Sequence, residues 1–256
     1  SYLVLTSGHA LLLSKDMQSG IVFEKQDTLK FFHQMYDRYL EQVSSFGVVM
    51  NNLPTQLSYF HNIRADMEQN YCFQMLPCLT FGIPDYFFDK YIYPEIPSRD
   101  KLIAMLMDYV HSIRKRFTEH PVRFIFSEDG LQRFLETGRI PEYPPAVYRP
   151  FELSDRIVLI RQFLKFCPPN GLCMLKCTIG DLDNELFMYV NPRNGYLMFP
   201  SSEPDQLICL DITEPGLLHG FCDFCEHLDK DLFYTETEAY SLISSLLDKT
   251  EQKKGS

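Results

Sequence analysis

The sequence predicts an α/β fold of the mixed α+β kind, and three observations carry that expectation. Strand-like apolar runs sit near both ends: YLVL and GIVF early, GLCMLKC, LFMYV, GYLMFP and LICLDI late. Between and beyond them, apolar residues recur at helical spacing behind capping residues. The 256 residues are enough to bury a full core, and with 23% charged residues the chain is too apolar to be disordered. The expected architecture has strand pairs at both ends and amphipathic helices packed on a mixed sheet. It forms one domain or two closely packed halves.

Two short strands broken at Ser7-Gly8 open the chain, and a Gln18-Ser19-Gly20 turn leads into a third. Asp27 is expected to cap a helix over 28–45, with Leu29, Phe32, Met35, Tyr36, Tyr39, Leu40 and Val43 inward and Gly47 as its stop. Residues 51–70 read as a polar helical stretch. YCFQMLPCLTFGIP carries apolar residues on both faces, as a buried strand or strand pair does. A short helix follows Pro84, and Ser98 or Asp100 caps a long one reaching about 117.

The segment over 124–151, FIFSEDGLQRFLETGRIPEYPPAVYRPF, is the most patterned of all. It reads as a buried strand, a helix capped by Ser127 and closed by Gly138, and an arm kept extended by four prolines. A helix over 153–166 follows, capped by Ser154 or Asp155. The late strands include a hairpin turn at NPRNG, and two helices over 217–228 and 237–247 end the fold. The expected division gives residues 1–167 to an N-terminal α/β portion and 168–250 to a strand-rich portion with two terminal helices. Residues 251–256 form a disordered tail, and Pro168-Pro169-Asn170-Gly171 marks the boundary.

A net charge of −10 argues against a nucleic-acid-binding surface. The run Arg114-Lys115-Arg116 reads as a dipole partner late in a helix. Eight cysteines do not make a disulfide scaffold, and neither a signal peptide nor an apolar run of membrane-spanning length is visible, so reduced thiols and a cytoplasmic location are expected. Ser1 has no Met before it and a strand begins at once, which reads as a piece excised from a longer protein.

No nucleophile elbow, phosphate loop or metalloprotease helix occurs, so no catalytic residue and no cofactor is assigned. Ser7-Gly8-His9 is a lone triplet. Asp181, Asp183 and Glu185 lack the glycine and the distal glutamate of a calcium loop. His219, Cys222 and Cys225 share a helix face and are weak candidates for a metal, against a core-facing helix with an incidental histidine. Cys173 and Cys177 would line one sheet face without the context of a redox pair. In the arm, Arg139, Tyr143, Tyr148 and Arg149 offer two guanidinium forks and two phenols. These either hold a carboxylate or phosphate ligand or anchor the arm through carbonyls.

Three segments carry a resemblance: FSEDGLQRFLETGRIPEYPPAVYRPF, LPCLTFGIPDYFFDKYIYPEIPSRDKL and GFCDFCEHLDKDLFYTETEAYSLI. They resemble the C-terminal regions of λ-repressor-type (Xre-like) helix-turn-helix transcriptional regulators from Gram-positive anaerobic bacteria. The resemblance implies a non-catalytic effector-sensing or dimerisation domain, working as a homodimer with a small-molecule or peptide effector. DNA contact would belong to a helix-turn-helix domain absent from this chain. Two alternatives stay open: a cytoplasmic enzyme whose groups, such as His9, His219 and Arg139, converge from scattered positions, and a protein–protein interaction module with a broad exposed aromatic patch.

Overall fold

The apolar runs at the start fold as an antiparallel sheet of β1 (Tyr2–Leu5), β2 (Ala10–Leu13) and β3 (Gly20–Phe23), in the order β1-β2-β3. The computed structural model describes residues 2–15, 18–42, 49–50, 52–179, 186–200 and 207–254. The Ser7-Gly8 turn is tied by Thr6, whose hydroxyl accepts from the His9 amide at 3.0 Å. Helix α1 (Gln26–Gln42) starts before the expected cap, so Asp27 lies in its first turn. Leu29 is buried, but Tyr36, Tyr39 and Leu40, expected inward, are exposed. Val43 and the Gly47 stop lie outside the described residues. These elements make one unit, Ser1–Phe46, and the rest of the chain makes a second, Gly47–Ser256.

The second unit is built on a seven-stranded sheet ordered β4-β10-β9-β8-β5-β6-β7. Its strands are β4 (Val49–Met50), β5 (Tyr71–Gln74), β6 (Arg123–Ser127), β7 (Leu172–Leu175), β8 (Phe187–Val190), β9 (Gly195–Pro200) and β10 (Leu207–Ile212). β5, β6 and β7 run parallel, and β8 pairs antiparallel with β5. Parallel neighbours need long crossovers, and the helices of the middle third supply them. Those helices are α3 (Tyr86–Tyr91) and α4 (Arg99–Glu119) between β5 and β6, and α5 (Glu128–Thr137) and α6 (Leu153–Phe166) between β6 and β7, while α2 (Leu53–Asn62) precedes β5. Helices α7 (Pro215–Glu226) and α8 (Glu236–Lys254) follow the last strand.

Because successive strand residues point to opposite faces, the sheet sorts its side chains into two clusters. Cys72, Phe124, Phe126 and Tyr189 join the larger one with residues of α2 to α6 and α8. Tyr71, Phe73, Ile125 and Val190 join the smaller one with Leu218, Cys222 and Cys225 of α7. The boundary expected at Pro168 is a tight turn between α6 and the edge strand β7, closed by the Gly171 amide on the Pro168 carbonyl at 2.9 Å. Parallel pairing of β7 with β6 makes the two sides of that turn one unit. The expected tail is helical as far as Lys254, and residues 255–256 lie outside the described residues.

Several caps differ from expectation. Ser98 precedes α4 in a left-handed conformation and makes no side-chain cap bond. Helix α6 starts at Leu153 behind Glu152, and Asp155 turns inward to the Tyr91 hydroxyl and the Lys90 ammonium. Ser127 does cap α5, accepting from the Gly130 amide at 3.0 Å. Gly138 ends that helix at φ +66°, where its missing Cβ avoids the Phe151 carbonyl.

Arginines from neighbouring elements close several helix ends, where backbone carbonyls lack partners. Arg116 of α4 donates to the Phe60 carbonyl at the end of α2, so it serves the dipole of another helix rather than its own. Arg156 of α6 donates to the Leu135 and Glu136 carbonyls at the end of α5 at 2.7 and 2.9 Å. Arg114 bridges the Phe81 and Ile83 carbonyls. Among the described residues, no helix is long and apolar enough to cross a membrane.

Candidate functional site

The arm between α5 and α6 is held by its own side chains. The Arg139 guanidinium donates to the Tyr148 carbonyl at 2.7 Å and lies over the Tyr148 ring. The buried Tyr148 hydroxyl accepts from the Ile140 amide at 2.8 Å and donates to the Ile140 carbonyl at 3.0 Å. Arg149 places its fork on the Lys90 carbonyl near the end of α3, at 3.0 and 2.8 Å. The Phe151 amide returns to the Gly138 carbonyl, closing the loop at its base. Of the four residues singled out in the arm, Arg139, Tyr148 and Arg149 therefore act as anchors.

Tyr143 is different, and so is its neighbour. This stretch of arm turns inward, leaving Glu142 and Tyr143 each only 5% exposed. They face Gln74 at the C-terminal end of β5, 1% exposed, and the fully buried Thr80 in the 3-10 turn Thr80–Gly82. Eight buried side-chain polar atoms among the described residues have no hydrogen-bond partner, and six of them belong to Gln74, Thr80, Glu142 and Tyr143. Buried polar atoms are paired in the great majority of native structures, so their concentration at one place marks a site.

Burial pushes the Glu142 carboxyl up to about 7. Its own backbone amide and the Gln74, Thr80 and Cys78 side chains lean toward it and offset part of the rise, yet none meets its oxygens in hydrogen-bond geometry. Burial also drives the Tyr143 and Tyr109 hydroxyls well up, with the charge of Glu142 adding to both. The Cys78 thiol is raised by its hydrogen bond with Cys72 and by burial. At neutral pH the site holds one carboxyl poised between two charge states, surrounded by neutral groups. Beside Tyr143 lies an apolar cavity of about 10 Å³, walled by Ile83, Phe87, Phe88, Tyr148 and Phe151 among others. That is room for a single water.

Sequence reasoning passed over Glu142, Gln74 and Thr80. A glutamate among prolines reads as solvated, and nothing local says otherwise. Gln74 did carry a signal: it is the one amide in the long apolar run from Tyr71 to Pro84.

The remaining candidates do not assemble. Cys222 and Cys225 point into the smaller core cluster, whereas His219 is exposed on α7. No group of three His, Cys, Asp or Glu among the described residues is placed to hold a metal ion. Cys173 lies in β7, but the strand ends at Leu175, so Cys177 falls beyond it and is exposed rather than lining the same face. His219 lies across the sheet from the cluster that packs the arm, so it does not meet Arg139. His9 belongs to the first unit, beside Glu24 at 3.6 Å. The acidic cluster of Asp181, Asp183 and Glu185 lies outside the described residues.

Comparison with protein-family models, with curated proteins and with solved structures finds no match.

Proposed function

We propose that this chain is the effector-sensing and dimerising domain of a bacterial transcription regulator, with DNA contact made by a separate helix-turn-helix domain. The observation that carries the sensing part is the buried polar site under the arm. Two of its four groups, Glu142 and Tyr143, belong to the arm, so a ligand that enters displaces part of the segment between Ile140 and Phe151. A ligand that binds one arrangement of that segment better than another shifts the balance between them, which is what a sensor requires. The net charge of −10 fits a chain that leaves DNA to another domain.

Dimerisation rests on the first unit. Among its described residues only Ala10 and Leu29 are buried, while Tyr2, Val4, Ile21 and Val22 of the strands and Phe31, Tyr36, Tyr39 and Leu40 of α1 are exposed. Apolar exposure on this scale in so small a unit calls for a partner surface. Both edge strands, β1 and β3, pair on one side only among the described residues, so a second copy could extend the sheet.

Sedimentation equilibrium and a thermal-shift screen against metabolites and short peptides test the reading together. A dimer with at least one saturable stabilising ligand is expected. A monomer that no ligand stabilises overturns it.

A further inference from the structure

We propose that Gln74, Thr80, Glu142 and Tyr143 form a binding site for the ammonium group of a small primary amine. The inference rests on the sensing reading and gives its effector a chemical class.

A buried charge is tolerated only when it is neutralised or paired. The nearby guanidiniums are engaged elsewhere: Arg114 with the carbonyls of Phe81 and Ile83, Arg116 with that of Phe60, Arg139 with that of Tyr148 and Arg149 with that of Lys90. Among the described residues no cation meets Glu142, which leaves a cationic ligand to pair its charge.

The donor set says what that partner is. Both Glu142 oxygens, Gln74 Oε1, Thr80 Oγ1 and Tyr143 Oη can accept and have no partner in this structure, and Gln74 Nε2 is an unpartnered donor beside them. An ammonium carries three donors and one positive charge, and so matches a carboxylate flanked by neutral acceptors. An anion would meet Glu142 directly and be repelled. A neutral amide or alcohol would leave the carboxylate charge uncompensated. Beyond Tyr143, the apolar walls of Ile83, Phe87 and Phe88 suit a short carbon chain. The cavity is too small for that chain while the arm is closed, so binding and arm displacement go together.

The affinity then depends on pH in one direction. The amine stays protonated through neutral pH, so its binding follows the ionisation of Glu142, whose carboxyl titrates near 7. The other titratable groups that face it, Cys78, Tyr109, Tyr143 and Tyr148, are all raised and stay neutral in that range.

Calorimetry of the whole chain with n-propylamine, n-propanol and propionate at pH 5, 6, 7 and 8 tests the proposal. Saturable binding of the amine alone is expected, tightening by about tenfold per pH unit below 7 and levelling off above it. In Glu142→Gln the amine affinity should fall by at least about a hundredfold, the size of a lost buried charge pair. If the wild type binds no amine at pH 8, or Glu142→Gln binds it equally well, the site is not an ammonium site. Should Glu142→Gln fail to fold, wild-type binding that ignores pH between 5 and 8 overturns the proposal on its own. If n-propylamine does not bind while a non-amine ligand stabilises the dimer, only this inference falls and the sensing reading stands.

Discussion

Arg139 and Tyr148 lock each other across the neck of the arm. The guanidinium holds the Tyr148 carbonyl at 2.7 Å and covers the ring at 5.1 Å, while the phenol returns to both backbone groups of Ile140. Replacing Tyr148 by Phe keeps the ring and strands a buried amide and a buried carbonyl. Urea denaturation of Tyr148→Phe should show a loss of about 1–3 kcal/mol. A loss below that range would mean that water replaces the hydroxyl.

Glu142 predicts an unusual pH dependence. Its carboxyl is raised from 4.5 to about 7 in the folded chain, so the folded state binds the proton more tightly than the unfolded state does. Below pH 4.5 both states are protonated and the residue costs nothing. As pH rises toward 7 the unfolded chain releases the proton first, and stability falls. Above 7 the full cost is present, on the order of 3 kcal/mol at about 1.4 kcal/mol per pH unit. Glu142→Gln cannot titrate, so its advantage over the wild type should grow from pH 4.5 to pH 8 in urea melts. A gap that does not change with pH would refute this.

Two substitutions probe the helix beneath the arm. Ser127→Ala removes the hydroxyl that caps α5 and donates to Met75, and should cost about 1 kcal/mol in thermal denaturation. Gly130→Ala should cost more than Ser127→Ala. A Cβ at Gly130 would stand 1.8 Å from the Met75 carbonyl oxygen, so the backbone itself must move.

Arg156 tests whether geometry or charge matters at the helix ends. Its fork reaches the carbonyls of Phe151, Leu135 and Glu136 at once. Arg156→Lys keeps the charge but loses the planar fork, and should recover less than half of the loss seen in Arg156→Ala, itself about 1.5–3 kcal/mol by chemical denaturation. Full recovery by Lys would show that the charge alone suffices.

The mixed α+β class and the Ser127-to-Gly138 helix were legible because caps, stops and periodicity are local. The partners of the arginines were not. Arg116 looks like a dipole residue of its own helix and instead closes another, a choice fixed by packing between elements distant in sequence. Tyr36, Tyr39 and Leu40 continue the apolar stripe begun by Leu29, yet they are exposed, because periodicity marks a face without saying what covers it. The arm was legible as an extended segment, whereas the inward turn of Glu142 was not. That turn depends on where β5 ends and where the 3-10 turn at Thr80 places its hydroxyl.

Hydrogen exchange of the arm amides, with and without n-propylamine at pH 8, tests most directly whether occupancy of the site moves the arm. The amides of Ile140, Val147, Arg149 and Phe151 are all hydrogen-bonded in the closed arrangement. Saturating amine should speed their exchange, while the Arg123 amide, held by the Asn70 carbonyl at the start of β6, stays unchanged. Arm amides that exchange at the same rate with and without bound amine would contradict the sensing account.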